Sequence, residues 1–141
     1  MDPMLTYEGI QDGTGLPMPD VRIGVLDLVG AGLLEKSETM SSSRISPLPD
    51  LFVTFDAVFM DWSPEVDARE LANYLHNLEV NSTNLKDVDS ALNWGPRRLN
   101  AAAAFLISAR IVGETKLMGS GKYWPTRLNL GDELLRYVKS L

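Results

Sequence analysis

The chain has 141 residues and a mass of 15.6 kDa, with 45% hydrophobic and 23% charged residues, a composition suited to one ordinary globular domain or two very small ones. With no cysteine and a single histidine, His76, it excludes a disulfide framework, a thiol nucleophile, an iron–sulfur cluster and any zinc site built on several imidazoles of one chain. The formal net charge of -6 argues at first against a polyanionic partner. That average is unevenly divided: residues 91–141 carry eight basic and three acidic side chains, whereas residues 1–90 carry five basic and sixteen acidic. A basic C-terminal third on an acidic body can mark a nucleic-acid-facing surface, or it can be a solvated surface with uneven charge.

Along the chain, residues 1–20 hold Gly9, Gly13, Gly15, Pro3, Pro17 and Pro19 with little periodicity and read as an irregular lead-in. Their acidic opening has the wrong charge for a signal peptide, and no apolar run approaches the roughly 18 residues needed to cross a bilayer, so a cytoplasmic protein is expected. Residues 21–34 are apolar nearly all round; Gly24, Gly30 and Gly32 leave strand and helix both open, with helix favoured in the later half. Residues 36–50, with Ser41-Ser42-Ser43, Pro47 and Pro49, read as a connecting loop and the best candidate boundary within the chain. Residues 51–60 fit two templates. Leu51, Phe52, Phe55, Val58, Phe59 and Trp62 form a helical stripe, while Leu51, Val53, Phe55, Ala57 and Phe59 form a strand face; the β-branched and aromatic content, with Thr54 and Asp56 on one side, favours strand.

From Ser63 the signals sharpen. Ser63 suits an N-cap, Pro64 the first helical position, Glu65 and Asp67 the first turn, and Val66, Leu71, Leu75 and Leu78 recur at helical spacing. A second helix carries Leu85, Val88 and Leu92 and stops at Trp94-Gly95-Pro96. Pro96 opens a third, through Ala101 to Ala104, to about Ala109. Ile111-Val112 and Lys116-Leu117 suggest a strand, Met118-Gly119-Ser120-Gly121 a turn, residues 122–130 a returning strand, and residues 132–141 a closing amphipathic helix.

Two short helices, a tight glycine-containing turn, a longer helix and a β-hairpin resemble a winged helix-turn-helix domain over residues 63–141. The resemblance is carried by Leu92-Asn93-Trp94-Gly95-Pro96-Arg97-Arg98-Leu99-Asn100 and by the ending Leu128-Asn129-Leu130-Gly131-Asp132-Glu133-Leu134-Leu135. It implies an α+β protein: a three-helix core with a hairpin wing and closing helix, after an acidic, apolar-rich extension of mixed helix and strand at 1–62. Winged helices serve as DNA readers and as protein-docking units alike. The first reading is a sequence-dependent DNA-binding regulator acting as a dimer, whose interface would lie in the apolar residues of 21–34 and 51–60. The rival is a protein-interaction module that touches no nucleic acid, which the negative total charge favours.

In the DNA reading, Arg97, Arg98 and Asn100 lead the third helix into the major groove, and Lys116, Lys122 and Arg127 contact phosphates from the wing. The alternative for the arginines is a helix start paired locally with Asp87 or Asp89, and for Trp124 an anchor in the core. No enzyme, cofactor or metal is expected. Asp61, Glu65, Asp67 and Glu70 are explained by a helix N-terminus, His76 has no partner in a motif, and Gly30-Ala31-Gly32 lacks the third glycine of a dinucleotide loop, with Glu35 in its place. Asn81-Ser82-Thr83 reads as a helix-capping turn.

Overall fold

The computed structural model describes residues 5–116, 121–123 and 125–141. Among these it is an α+β protein with seven helices and two small antiparallel sheets. The chain divides into two compact units, one up to Leu51 and one from Phe52 onward.

The first unit opens with α1 (Tyr7–Thr14) and α2 (Met18–Gly30), followed by a hairpin of β1 (Leu34–Glu38) and β2 (Ser43–Pro47). Of the residues that suggested an irregular lead-in, Gly15, Pro17 and Pro19 mark the end of α1 and the start of α2, and Gly9 and Gly13 lie within α1. Thr6 caps α1 by accepting from the Gly9 amide at 3.0 Å, and Gly15 ends it in the left-handed region at φ 70. Pro19 sits in the first turn of α2, where a missing amide costs nothing. The expected loop at 36–50 is mostly the hairpin, with Lys36 opposite Ile45 and a tip held by the Thr39 and Ser42 side chains. Tyr7, Val21, Val25, Leu34 and the fully buried Ile45 make its small core.

Next comes α3 (Pro49–Phe59), where the sequence favoured a strand. Pro49 opens the helix and Asp50 complements its first turn, and these local signals outweigh the β-branched content. Then follow α4 (Pro64–Asn77), β3 (Ser82–Asn84), α5 (Leu85–Leu92), α6 (Pro96–Ser108), β4 (Gly113–Thr115), β5 (Arg127–Asn129) and α7 (Asp132–Ser140). Their sheet has the order β3-β5-β4, with Thr83 and Glu114 flanking Leu128 from either side. β3 was missed. Its three residues read as a capping turn because so short a strand has no periodicity of its own. Ser63 and Asn84 do precede α4 and α5, though neither side chain makes a capping hydrogen bond. The expected turn at 118–121, apart from Gly121, and Trp124 lie outside the described residues.

The core of this unit is made by Leu71 and Leu75 of α4, Leu85 and Val88 of α5, Leu99 and Leu106 of α6, and Leu128 of β5, all essentially inaccessible. Each such side chain contributes about 1.5–3 kcal/mol by burial. The turn between α5 and α6 is tight. Asn93 ends α5 at φ 55, and Gly95, at φ 86, donates its amide to Asp89 Oδ1 at 2.8 Å before Pro96 starts α6.

Candidate functional site

The start of α6 brings three of the six expected site residues close together and places each in an intramolecular contact. Arg97 donates from both terminal nitrogens to the Asp56 carboxylate at 2.6 and 2.7 Å. Arg98 does the same to Asp67 through Nε and Nη2 at 2.7 and 2.6 Å. The partners are therefore carboxylates on α3 and α4 rather than Asp87 or Asp89. Both are almost fully buried, while the two arginine side chains remain about one-third exposed, at 32% and 30%. A two-pronged guanidinium matches a carboxylate in geometry as well as charge, and such a pair is much stronger than a single surface contact.

Aromatic faces complete the arrangement. The Arg97 guanidinium carbon lies 3.6 Å from the centroid of Phe52, and that of Arg98 lies 4.6 Å from Trp94 and 6.0 Å from Trp62. Trp62 donates its indole N–H to Asp56 Oδ2 at 3.2 Å. The hydrogen bonds to Asp67 hold Arg98 still further above the usual guanidinium range, against the opposing effect of its burial.

Asn100 is 5% exposed and donates its side-chain amide to the Lys122 carbonyl at 2.9 Å. The chain at Lys122 therefore runs beside α6, and Tyr123 extends that contact by donating its hydroxyl to Asp89 Oδ2 at 2.7 Å. This hydrogen bond, together with burial and the nearby negative charge, pushes the Tyr123 hydroxyl up to about 12. Asp89 thus serves two donors, the Gly95 amide and the Tyr123 hydroxyl, and ties the α5–α6 turn to the hairpin. Along α6, no residue from Pro96 to Ile107 is exposed, and Ala101, Ala102, Ala103 and Ala104 are all buried.

The other three expected residues are solvent-facing. Lys116 follows β4 and lies 3.8 Å from Glu114, Arg127 donates to Asn84 Oδ1 at 3.2 Å, and the Lys122 residue is exposed. Since Thr115 pairs with Arg127, Lys116 and Arg127 share one end of the β4–β5 hairpin. A cavity of about 560 Å³ lies between the end of α6, β4 and the start of α7, with Arg110, Glu114, Asp132 and Glu133 among its lining. None of the six expected residues lines it. Among the described residues no group of three His, Asp or Glu side chains is placed to hold a metal ion, and no helix is long and apolar enough to cross a membrane.

Sequence reasoning gave Asp67 to a helix N-terminus and Asp89 to the arginines, and assigned Asp56 no partner. For Asp56 a signal was present: a lone carboxylate inside the apolar run of residues 51–60. It is the one residue of α3 that is buried. Its last two turns expose apolar side chains, with Phe55 38%, Val58 75% and Phe59 77% exposed, whereas Leu51, Phe52 and Val53 are half-buried. No family model matches the chain, and neither a curated protein nor a solved structure matches it.

Proposed function

We propose that the chain is a protein-docking module built on a winged-helix arrangement, with α3 presenting the docking surface. The order α4, β3, α5, α6, β4, β5, α7 and the β3-β5-β4 sheet support the winged-helix reading. The observation that carries the docking reading is the C-terminal part of α3, which buries Asp56 and exposes Phe55, Val58 and Phe59. Contiguous apolar surface of this kind marks interaction sites on folded proteins, whereas single exposed apolar residues do not.

The same geometry weighs against duplex recognition by α6. Reading a groove needs donors free to meet base edges or phosphates. Arg97 and Arg98 each commit two donors to Asp56 and Asp67, Asn100 donates its amide to the Lys122 backbone, and no residue of α6 from Pro96 to Ile107 is exposed. Two carboxylates also neutralise the two most central positive charges. Anisotropy titration of a labelled duplex pool at low salt tests the choice. No saturable binding is expected. Saturable, salt-sensitive binding that disappears in Arg97→Ala, Arg98→Ala while the fold persists would return the function to DNA.

A further inference from the structure

Independently of the docking reading, we infer that the first unit binds a small aliphatic carboxylate in the cavity where α2 meets α1 and β1. That cavity has a volume of about 210 Å³ and is lined by Tyr7 of α1, Arg22, Val25, Leu26 and Val29 of α2, and Lys36 of β1. Arg22, Val25, Leu26 and Val29 follow one another at the i, i+3, i+4, i+7 spacing of one helix face. Asp20 and Asp27, the carboxylates of α2, fall on its opposite side. Residues 5–51 hold seven carboxylates and three basic side chains, yet two of the three bases line the cavity and none of the carboxylates does. The basic character of the cavity is therefore a local arrangement that its acidic surroundings do not supply.

The two cations converge on one ring. The Arg22 guanidinium carbon lies 4.7 Å from the Tyr7 centroid and Lys36 Nζ lies 5.5 Å from it. A ring face attracts a cation but offers its N–H groups no oxygen, and among the described residues Arg22 forms no ion pair, so its guanidinium keeps donors for an anion. Lys36 pairs with Glu38 at 2.7 Å, and that hydrogen bond above all holds its ammonium above the usual lysine range. Glu38 offsets one of the two positive charges and leaves one, which a carboxylate balances and a phosphate dianion exceeds. The rest of the cavity is apolar: Val25 is buried at its floor, Val29 is half-buried, and Leu26 stands 69% exposed at its rim. At about 30 Å³ for each water-sized group, the volume admits roughly seven non-hydrogen atoms, a carboxylate with a tail of about four carbons.

The test follows the backbone amide NMR shifts of the intact chain during titration with pentanoate, acetate, pentanol, pentylamine and inorganic phosphate. Pentanoate is expected to shift Val25, Leu26 and Val29 saturably and to bind at least about tenfold more tightly than the other four. Arg22→Gln, a change at an exposed residue, should weaken pentanoate by about tenfold or more, and Arg22→Lys should recover part of the loss. Equal binding of acetate and pentanoate would overturn the inference, leaving only attraction of anions. Equal binding of pentanol, kept in Arg22→Gln, would overturn it in favour of an uncharged apolar crevice, and tighter binding of phosphate in favour of a dianion. The C-terminus of a peptide shares the carboxylate chemistry, so a tripeptide ending in Leu is run alongside; tighter binding than pentanoate would overturn the free acid. Should Arg22→Gln fail to fold, the order of pentanoate, pentanol and pentylamine on the parent chain decides the head group. No saturable shift with any of these compounds would overturn the site itself.

Discussion

Arg97 reaches back 41 residues to grip Asp56 with both arms of its guanidinium, and this one pairing sets which side of α3 faces inward. With Asp56 turned toward α6, Val58, two positions on and therefore across the helix, has to face outward. The exposed apolar stripe is thus a consequence of a buried charge pair, and the start of α6 acts as a fastening for α3 and α4.

Arg97→Ala is expected to destabilise the chain by about 2–4 kcal/mol, because it strands a buried carboxylate; the partial exposure of the guanidinium keeps the loss below that of a fully buried pair. Asp56→Asn combined with Arg97→Ala should cost less than the two single changes added together. Denaturant unfolding of the four proteins gives the coupling energy, and additive losses would mean that the pair is not formed. Arg97→Lys should recover only part of the loss, since one ammonium cannot satisfy both oxygens.

Gly95→Ala tests the α5–α6 turn. A methyl at this position meets no atom within 4 Å, so the substitution creates no clash and its cost comes from φ 86 alone. The expected destabilisation is about 1–2 kcal/mol, read as a lowered unfolding midpoint. A neutral result would mean that residue 95 lacks a left-handed conformation.

Tyr123 gives a pH dependence with a definite sign. Its hydroxyl titrates near 10 when unfolded and is raised to about 12 in the fold, so the neutral form is favoured by folding. The stabilisation is fully present below about pH 10 and is lost as pH rises toward about 12. Tyr123→Phe should lose that stabilisation at neutral pH and show a shallower decline across the alkaline interval. Parallel alkaline declines in the two proteins would contradict the Tyr123–Asp89 hydrogen bond.

Fragment boundaries follow from the same contacts. A chain starting at Pro49 keeps Phe52, Asp56 and Trp62 around Arg97, and is expected to unfold cooperatively. One starting at Trp62 retains the leucine core of α4 to α7 but leaves Arg97 without its carboxylate, so it should unfold at lower denaturant. Equal midpoints would show that α3 contributes nothing to the second unit.

The helices from α4 onward were readable in sequence because caps, prolines and 3.6-residue periodicity agree there, as at Pro64, Pro96 and the Leu71–Leu75 repeat. What failed lies where those signals conflict. Around α1 and α2, Gly15, Pro17 and Pro19 serve as terminator and starters, which composition alone reads as irregular. In α3 the apolar stripe faces solvent and the charge faces inward, so inferring the buried side from hydrophobicity gives the opposite face. Arg97 and Arg98 were read as groove contacts or as partners of Asp87 or Asp89, and the carboxylates they hold are 41 and 31 residues away. No local spacing rule finds a pairing over that distance.

The most direct measurement of the outward-facing α3 stripe is the stability of Val58→Glu, Phe59→Glu in the intact chain. Both side chains are about three-quarters exposed, so the unfolding free energy is expected to stay within about 0.5 kcal/mol of the parent value. A loss of several kcal/mol would show that the chain buries this face in its own core, and would contradict a docking surface on α3.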